Sequence, residues 1–122
     1  MPKSLPTPLM GEVWDAQFSP AVGAEQLGIR PALVLSSGWF NTLDHRLVVV
    51  VPITGTDRKI RYQVTIDGRE GGLSKNSVIM SEQIRSMDRS RFLRKRGRVS
   101  PETLAEVRRI VALIVGEEPP AQ

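Results

Sequence analysis

The sequence predicts a mainly β domain, a small antiparallel barrel or sandwich, closed by one C-terminal α-helix. Three observations carry that expectation. Two uninterrupted aliphatic runs, PALVLS (31–36) and RLVVVVPIT (46–54), are strands buried on both faces. Turn-forming residues divide the first hundred positions into five or six short strand-like pieces, a spacing that favours closed or sandwiched antiparallel sheets. Only 100–116 carries helical periodicity together with start and stop signals.

Taken in order, GEVWDAQF (11–18) reads as a strand and SPAVGAEQLG (19–28) as a turn-rich loop. Between the two aliphatic runs, SSGWFNTLD (36–44) is too short for more than one helical turn. YQVTI (62–66) alternates as a half-buried strand does, and NSVIMSEQIR (76–85) resumes the pattern after the glycine-rich turn DGREGGLSK (67–75). In SPETLAEVRRIVALIVG, Ser100 caps free amides, Pro101 fits the first helical position, Glu102 suits the positive end of the dipole and Gly116 supplies the stop. Leu104, Val107, Val111 and Ile114 make the face expected to be buried.

With 122 residues the chain supports one core and therefore one domain, expected over 11–116, with a flexible leader at 1–10 and a flexible tail at 117–122. MPKSLPTPLM has three prolines and no apolar run of signal-peptide length, and no stretch approaches a membrane span, so a soluble cytoplasmic protein without membrane partners is expected. The chain has no cysteine, which excludes disulfides and thiolate chemistry, and its single histidine, His45, excludes a histidine pair. No metal cage or phosphate-binding glycine fingerprint is visible, and the expected cofactor is none. His45 itself reads as a solvated turn residue.

The formal charge of +4 is unevenly spread. Residues 85–98 hold seven Lys or Arg (Arg85, Arg89, Arg91, Arg94, Lys95, Arg96, Arg98) against one acid, Asp88, and Arg58, Lys59 and Arg61 form a second cluster. These are either solvated turns or contacts to nucleic acid. Arg30, directly before a proline at the mouth of a buried strand, either pairs with an acid such as Glu25 or faces an arriving anion. If the two aliphatic strands pair antiparallel, Arg30 and Thr54 meet at one edge and present a guanidinium fork and a hydroxyl to a phosphate. The further polar candidates at strand mouths are Gln26, Gln83 and Arg85.

The order GEVWDAQFSPAVGAEQLGIRPALVLS, Asn41, VVVVPIT, GGLSKNSVIMSEQIRSMDRSRF and a closing amphipathic helix resembles the MazF/PemK family of toxin endoribonucleases over essentially all of 11–116. The resemblance implies an SH3-like barrel of the MazF/CcdB type, a homodimer, and neutralisation by a cognate antitoxin with an acidic, disordered tail. It also implies metal-independent, sequence-specific cleavage of single-stranded RNA by attack of the 2′-hydroxyl, leaving 2′,3′-cyclic phosphate and 5′-hydroxyl ends. The family's catalytic arginine and threonine fall on Arg30 and Thr54, and the acid of its first loop on Glu25. The residue after the threonine is often serine in the family; here it is Gly55. A guanidinium keeps its proton at working pH, so Glu25 or a water held by Thr54 is the easier base. RNA contacts are expected from Gln26, Arg58, Lys59, Arg61, Gln83 and Arg85; Trp39 and Phe40 are able to stack on bases but read rather as core or dimer-interface residues. Two other readings stay open: a CcdB-like gyrase poison that cleaves nothing, and a noncatalytic basic RNA-binding barrel.

Overall fold

The structure, a computed structural model, describes residues 4–18, 28–56, 59 and 62–116. The run LVVVVPIT forms β3 (Leu47–Thr54), on which the rest is assembled. Successive side chains leave opposite faces of a strand, and both faces here are covered. Val51 and Ile53 join one buried cluster with Val13, Leu33, Val99 and Val107; Val48 and Val50 join a second with Phe18, Ala32, Val34 and Met87. Two aliphatic runs without polar alternation are the signature of this double burial.

β2 (Ile29–Val34) pairs antiparallel with β3, Ala32 opposite Pro52 and Val34 opposite Val50. The other edge of β3 is shared. β6 (Arg85–Asp88) pairs with residues 47–50, and β5 (Ser77–Ile79) pairs with residues 53 and 54. β4 (Val64–Ile66) continues outward from β5, while β1 (Glu12–Gln17) joins β2 to β7 (Phe92–Arg98), giving the order β4-β5-β3-β2-β1-β7 with β6 beside β3. Register shifts at Val13/Trp14 and Asp15/Ala16 bend β1 as bulges do.

The expected closed barrel is corrected in one respect. Among the described residues no ladder joins β4 to β7, so the sheet curls without closing. A 3-10 turn over Glu70–Gly72 packs against β7 instead. Gly72 has φ +70°, and a Cβ there would lie 2.6 Å from the Arg96 carbonyl carbon, so backbone approaches backbone at this point of β7.

The basic stretch 85–98 consists of β6, a 3-10 turn (Arg89–Arg91) and β7, in place of solvated turns. Four of its seven cations meet acids supplied by β1. Arg94 and Arg96 pair with Asp15 at 3.2 and 3.1 Å, and Lys95 and Arg98 reach Glu12 at 2.8 and 3.7 Å. Glu12 is buried and also accepts from the Leu9 amide and the Trp14 indole. Burial pushes its carboxyl up, but the Lys95, Trp14 and Leu9 hydrogen bonds outweigh this and hold it below its ordinary value of 4.5. A depressed carboxylate stabilises the fold above its unfolded value and loses that contribution as pH falls through the folded value. Wild type should therefore lose stability as pH falls below about 5, through the lowered folded value, and Glu12→Gln should flatten that limb while lowering stability at neutral pH by roughly 1–2 kcal/mol. Urea unfolding across this pH range measures both effects.

α1 (Gly38–Asn41) is the expected single turn, with the Ser37 side chain accepting from the Phe40 amide. It does not bury Trp39, which is 73% exposed, and Phe40 lies against His45 at 4.5 Å between ring centres. His45 Nδ1 accepts from the Leu47 amide. α2 (Pro101–Val115) begins as its caps demand: Ser100 accepts from the Thr103 amide, and Pro101 opens the helix. The buried face is Val107 and Ile110, flanked by Leu104 and Val111, whereas Ile114 is 44% exposed. Ile110 thus takes the buried place expected of Ile114.

Within the segment expected to be a loose leader, residues 5–9 make specific contacts. Arg89 donates to the carbonyls of Pro6 and Leu5 and to the Thr7 hydroxyl. Asn41, fully buried, donates to the Pro8 and Ser36 carbonyls at 2.8 and 3.1 Å and accepts from the Ser36 hydroxyl. Asn41→Ala strands these buried carbonyls, so it should cost about 2 kcal/mol, a drop in Tm of roughly 6–12 °C. Calorimetry reads that drop directly. The expected tail, 117–122, lies outside the described residues.

Candidate active site

Arg30 is the second residue of β2 and Thr54 the last of β3. Gly28, at φ +76°, turns the chain into β2, and its carbonyl accepts from the Phe18 amide at 2.8 Å. This fixes where β2 begins. The β2–β3 register, continued two residues beyond Ala32 and Pro52, brings Arg30 opposite Thr54. The exposed Arg30 and the nearly buried Thr54, 8% accessible, line one cleft of about 160 Å³ with Pro31, Gly55, Ser74, Lys75, Ser77 and Arg96. The Thr54 hydroxyl accepts from the Thr56 amide at 3.3 Å, which orients its oxygen.

The charge of this cleft is one-sided. Among the described residues its lining carries Arg30, Lys75 and Arg96 and no carboxylate. Arg96 is held in place, its Nε donating to the Gly72 carbonyl at 3.1 Å and its NH1 paired with Asp15. Asp15 is not among the residues lining the cleft, so the described lining keeps a positive field. Such a site suits an anion with several oxygens, and a phosphate matches the arginine fork. Among the described residues no group of three acidic or histidine side chains could hold a metal ion.

The other expected site residues fall into two sets. Glu25, Gln26, Arg58 and Arg61 lie outside the described residues. Lys59 is exposed, with a left-handed φ of 57°. Gln83 closes the 3-10 turn Ser81–Gln83, its amide 3.9 Å from the Met80 sulfur, and the Arg85 guanidinium lies 5.8 Å from the Phe18 ring centre. Neither belongs to the cleft lining. Residue spacing did not reveal Ser74, Lys75, Ser77 or Arg96. Ser77 and Lys75 arrive because β5 pairs with the end of β3 across more than twenty residues of intervening chain, with Thr54 opposite Val78.

A family described as PemK-like, MazF-like toxin of type II toxin–antitoxin systems matches residues 10–115. The chain belongs to this family. An endoribonuclease, MazF9 of Mycobacterium tuberculosis, is 37% identical over 102 residues, covering 80% of this chain and 86% of the relative. The crystal structure of MazF from Deinococcus radiodurans superposes with a TM-score of 0.81 at 32% identity, covering 91% of this chain and 98% of that one. A MazE–MazF structure from the same organism gives 0.73 at 31% identity, with 92% and 99% covered. The family accounts for the architecture of a bent antiparallel sheet with a C-terminal helix. Among the described residues no helix is long and apolar enough to cross a membrane.

Proposed function

We propose that this protein is the toxin of a type II toxin–antitoxin pair and acts in the cytoplasm as an endoribonuclease on single-stranded RNA. The observation that carries the reading is Arg30 and Thr54 lining one cleft together with the cations Lys75 and Arg96. The family and its endoribonuclease members support it.

In the proposed reaction the ribose 2′-hydroxyl attacks the adjacent phosphorus and displaces the 5′-oxygen, leaving a 2′,3′-cyclic phosphate and a 5′-hydroxyl. Nucleophile and leaving group belong to one backbone, so alignment carries much of the rate and no metal is needed. What the protein must supply is stabilisation of the charge that builds on the phosphorane. Arg30 offers a fork of donors to that charge and lies beside the departing oxygen. Thr54 hydrogen-bonds the transition state, and Glu25, or a water on Thr54, takes the nucleophile's proton. Gln26, Arg58, Lys59 and Arg61 are the proposed contacts to flanking bases and phosphates, with Gln83 and Arg85 reached by nucleotides outside the cleft. The proposed assembly is a homodimer whose partner is an antitoxin with an acidic tail, a reading supported by the MazE–MazF complex of the Deinococcus relative.

Incubation of the purified protein with a long single-stranded RNA in EDTA tests the proposal. Discrete cuts are expected. RNA retarded but intact would mark a noncatalytic binder, and RNA neither cut nor bound would favour the gyrase-poison alternative.

A further inference from the structure

Gly55, directly after Thr54, has no side chain, and the space one would fill is taken. A Cβ built on Gly55 would fall on the end of the Lys75 side chain, 2.7 Å from its Nζ and 3.3 Å from its Cδ. The ammonium therefore lies over the Gly55 backbone, in the same cleft as Arg30 and Thr54. Its own backbone is fixed from two sides. Gly68 packs so closely that a Cβ there would be 2.7 Å from the Lys75 Cα, and the Gly68 amide donates to the Asn76 side chain at 2.9 Å. The Ser77 hydroxyl donates to the Lys75 carbonyl. A cation with an anchored backbone, a long stem and no carboxylate among the described residues of the cleft is suited to hold a phosphate as a point charge.

We propose that Lys75 binds a phosphate of the RNA strand on the Gly55 side of the scissile one, and that glycine at position 55 is what admits it. This rests on the endoribonuclease reading and names a further substrate contact of the same cleft. Lys75 serves substrate binding more than the chemical step, because the phosphate it holds is charged before and after reaction. Removing the ammonium should raise KM more than it lowers kcat.

The test uses the whole protein and a short labelled RNA whose 2′-hydroxyls are replaced by fluorine, so that affinity is measured without cleavage. Lys75→Met keeps the stem and removes the charge. It should bind about five- to tenfold more weakly, with the slope of log affinity against log salt smaller by about 0.7, the loss of one neutralised phosphate. Lys75→Arg should stay near wild type. Gly55→Ala adds only the obstructing Cβ. It should displace the ammonium, a flexible end that moves without unfolding the protein, and reproduce the loss. Lys75→Met placed in the Gly55→Ala background should then add less than about twofold. Unchanged affinity and salt slope in Lys75→Met, with unmodified RNA still cut, would overturn the lysine contact and leave the ribonuclease reading standing. The expected slope change in a protein that cuts no RNA would do the reverse. Wild type that neither binds the fluorinated RNA nor cuts the unmodified strand would overturn both.

Discussion

Arg30→Ala is expected to lower kcat/KM for RNA by about a thousandfold or more while Tm moves by no more than about 2 °C. Removing one preorganised donor from a developing oxyanion costs roughly two to three orders of magnitude in rate, and a guanidinium offers charge together with two donors. Stability has little to lose. The Arg30 side chain is exposed at the start of β2, and strand pairing there runs through its backbone, which faces Ala16 of β1. Thr54→Ala should fall less far, by about ten- to a hundredfold, because a hydroxyl contributes one neutral hydrogen bond. It should also cost the fold about 1 kcal/mol, since Thr54 is nearly buried and its oxygen accepts from the Thr56 amide. Kinetics on one RNA and calorimetry on the same preparations separate these effects. An Arg30→Ala protein that unfolds would make the arginine a structural ion-pair partner.

How much of this was legible from residues alone depended on whether the deciding contacts were local. The caps of α2 lie within four residues of the helix start, so Ser100 and Pro101 could be read directly. Double burial of β2 and β3 was legible because it leaves no polar alternation, and their antiparallel pairing brought Arg30 to Thr54 as the spacing suggested. β7 was not legible as a strand. FLRKRGR has no apolar alternation and reads as a solvated charge run, yet its cations meet Glu12 and Asp15, about eighty residues earlier in the chain. Distance in sequence also hid the role of residues 5–9, which depends on Arg89, 83 residues from Pro6, and on Asn41, 33 residues from Pro8. Lys75 and Arg96 escaped notice in the cleft because β5 and the turn at Gly72 deliver them, and neither lies near Arg30 or Thr54 in sequence. The open edge between β4 and β7 is likewise something that a count of strands does not reveal.

The central claim is that the substrate supplies its own nucleophile to a cleft built around Arg30 and Thr54. Cleavage of an RNA carrying a single 2′-deoxy substitution just 5′ of the mapped scissile phosphate, in EDTA and beside the all-ribose strand, tests it most directly. Alignment of an internal nucleophile is worth several orders of magnitude, and without the hydroxyl there is nothing for Arg30 to stabilise. The account predicts no detectable cut at that bond, with neighbouring all-ribose sites still cleaved to 2′,3′-cyclic phosphate and 5′-hydroxyl ends. Cleavage of the deoxy strand at the same bond, or a product bearing a 5′-phosphate, would require water as the nucleophile and would contradict it.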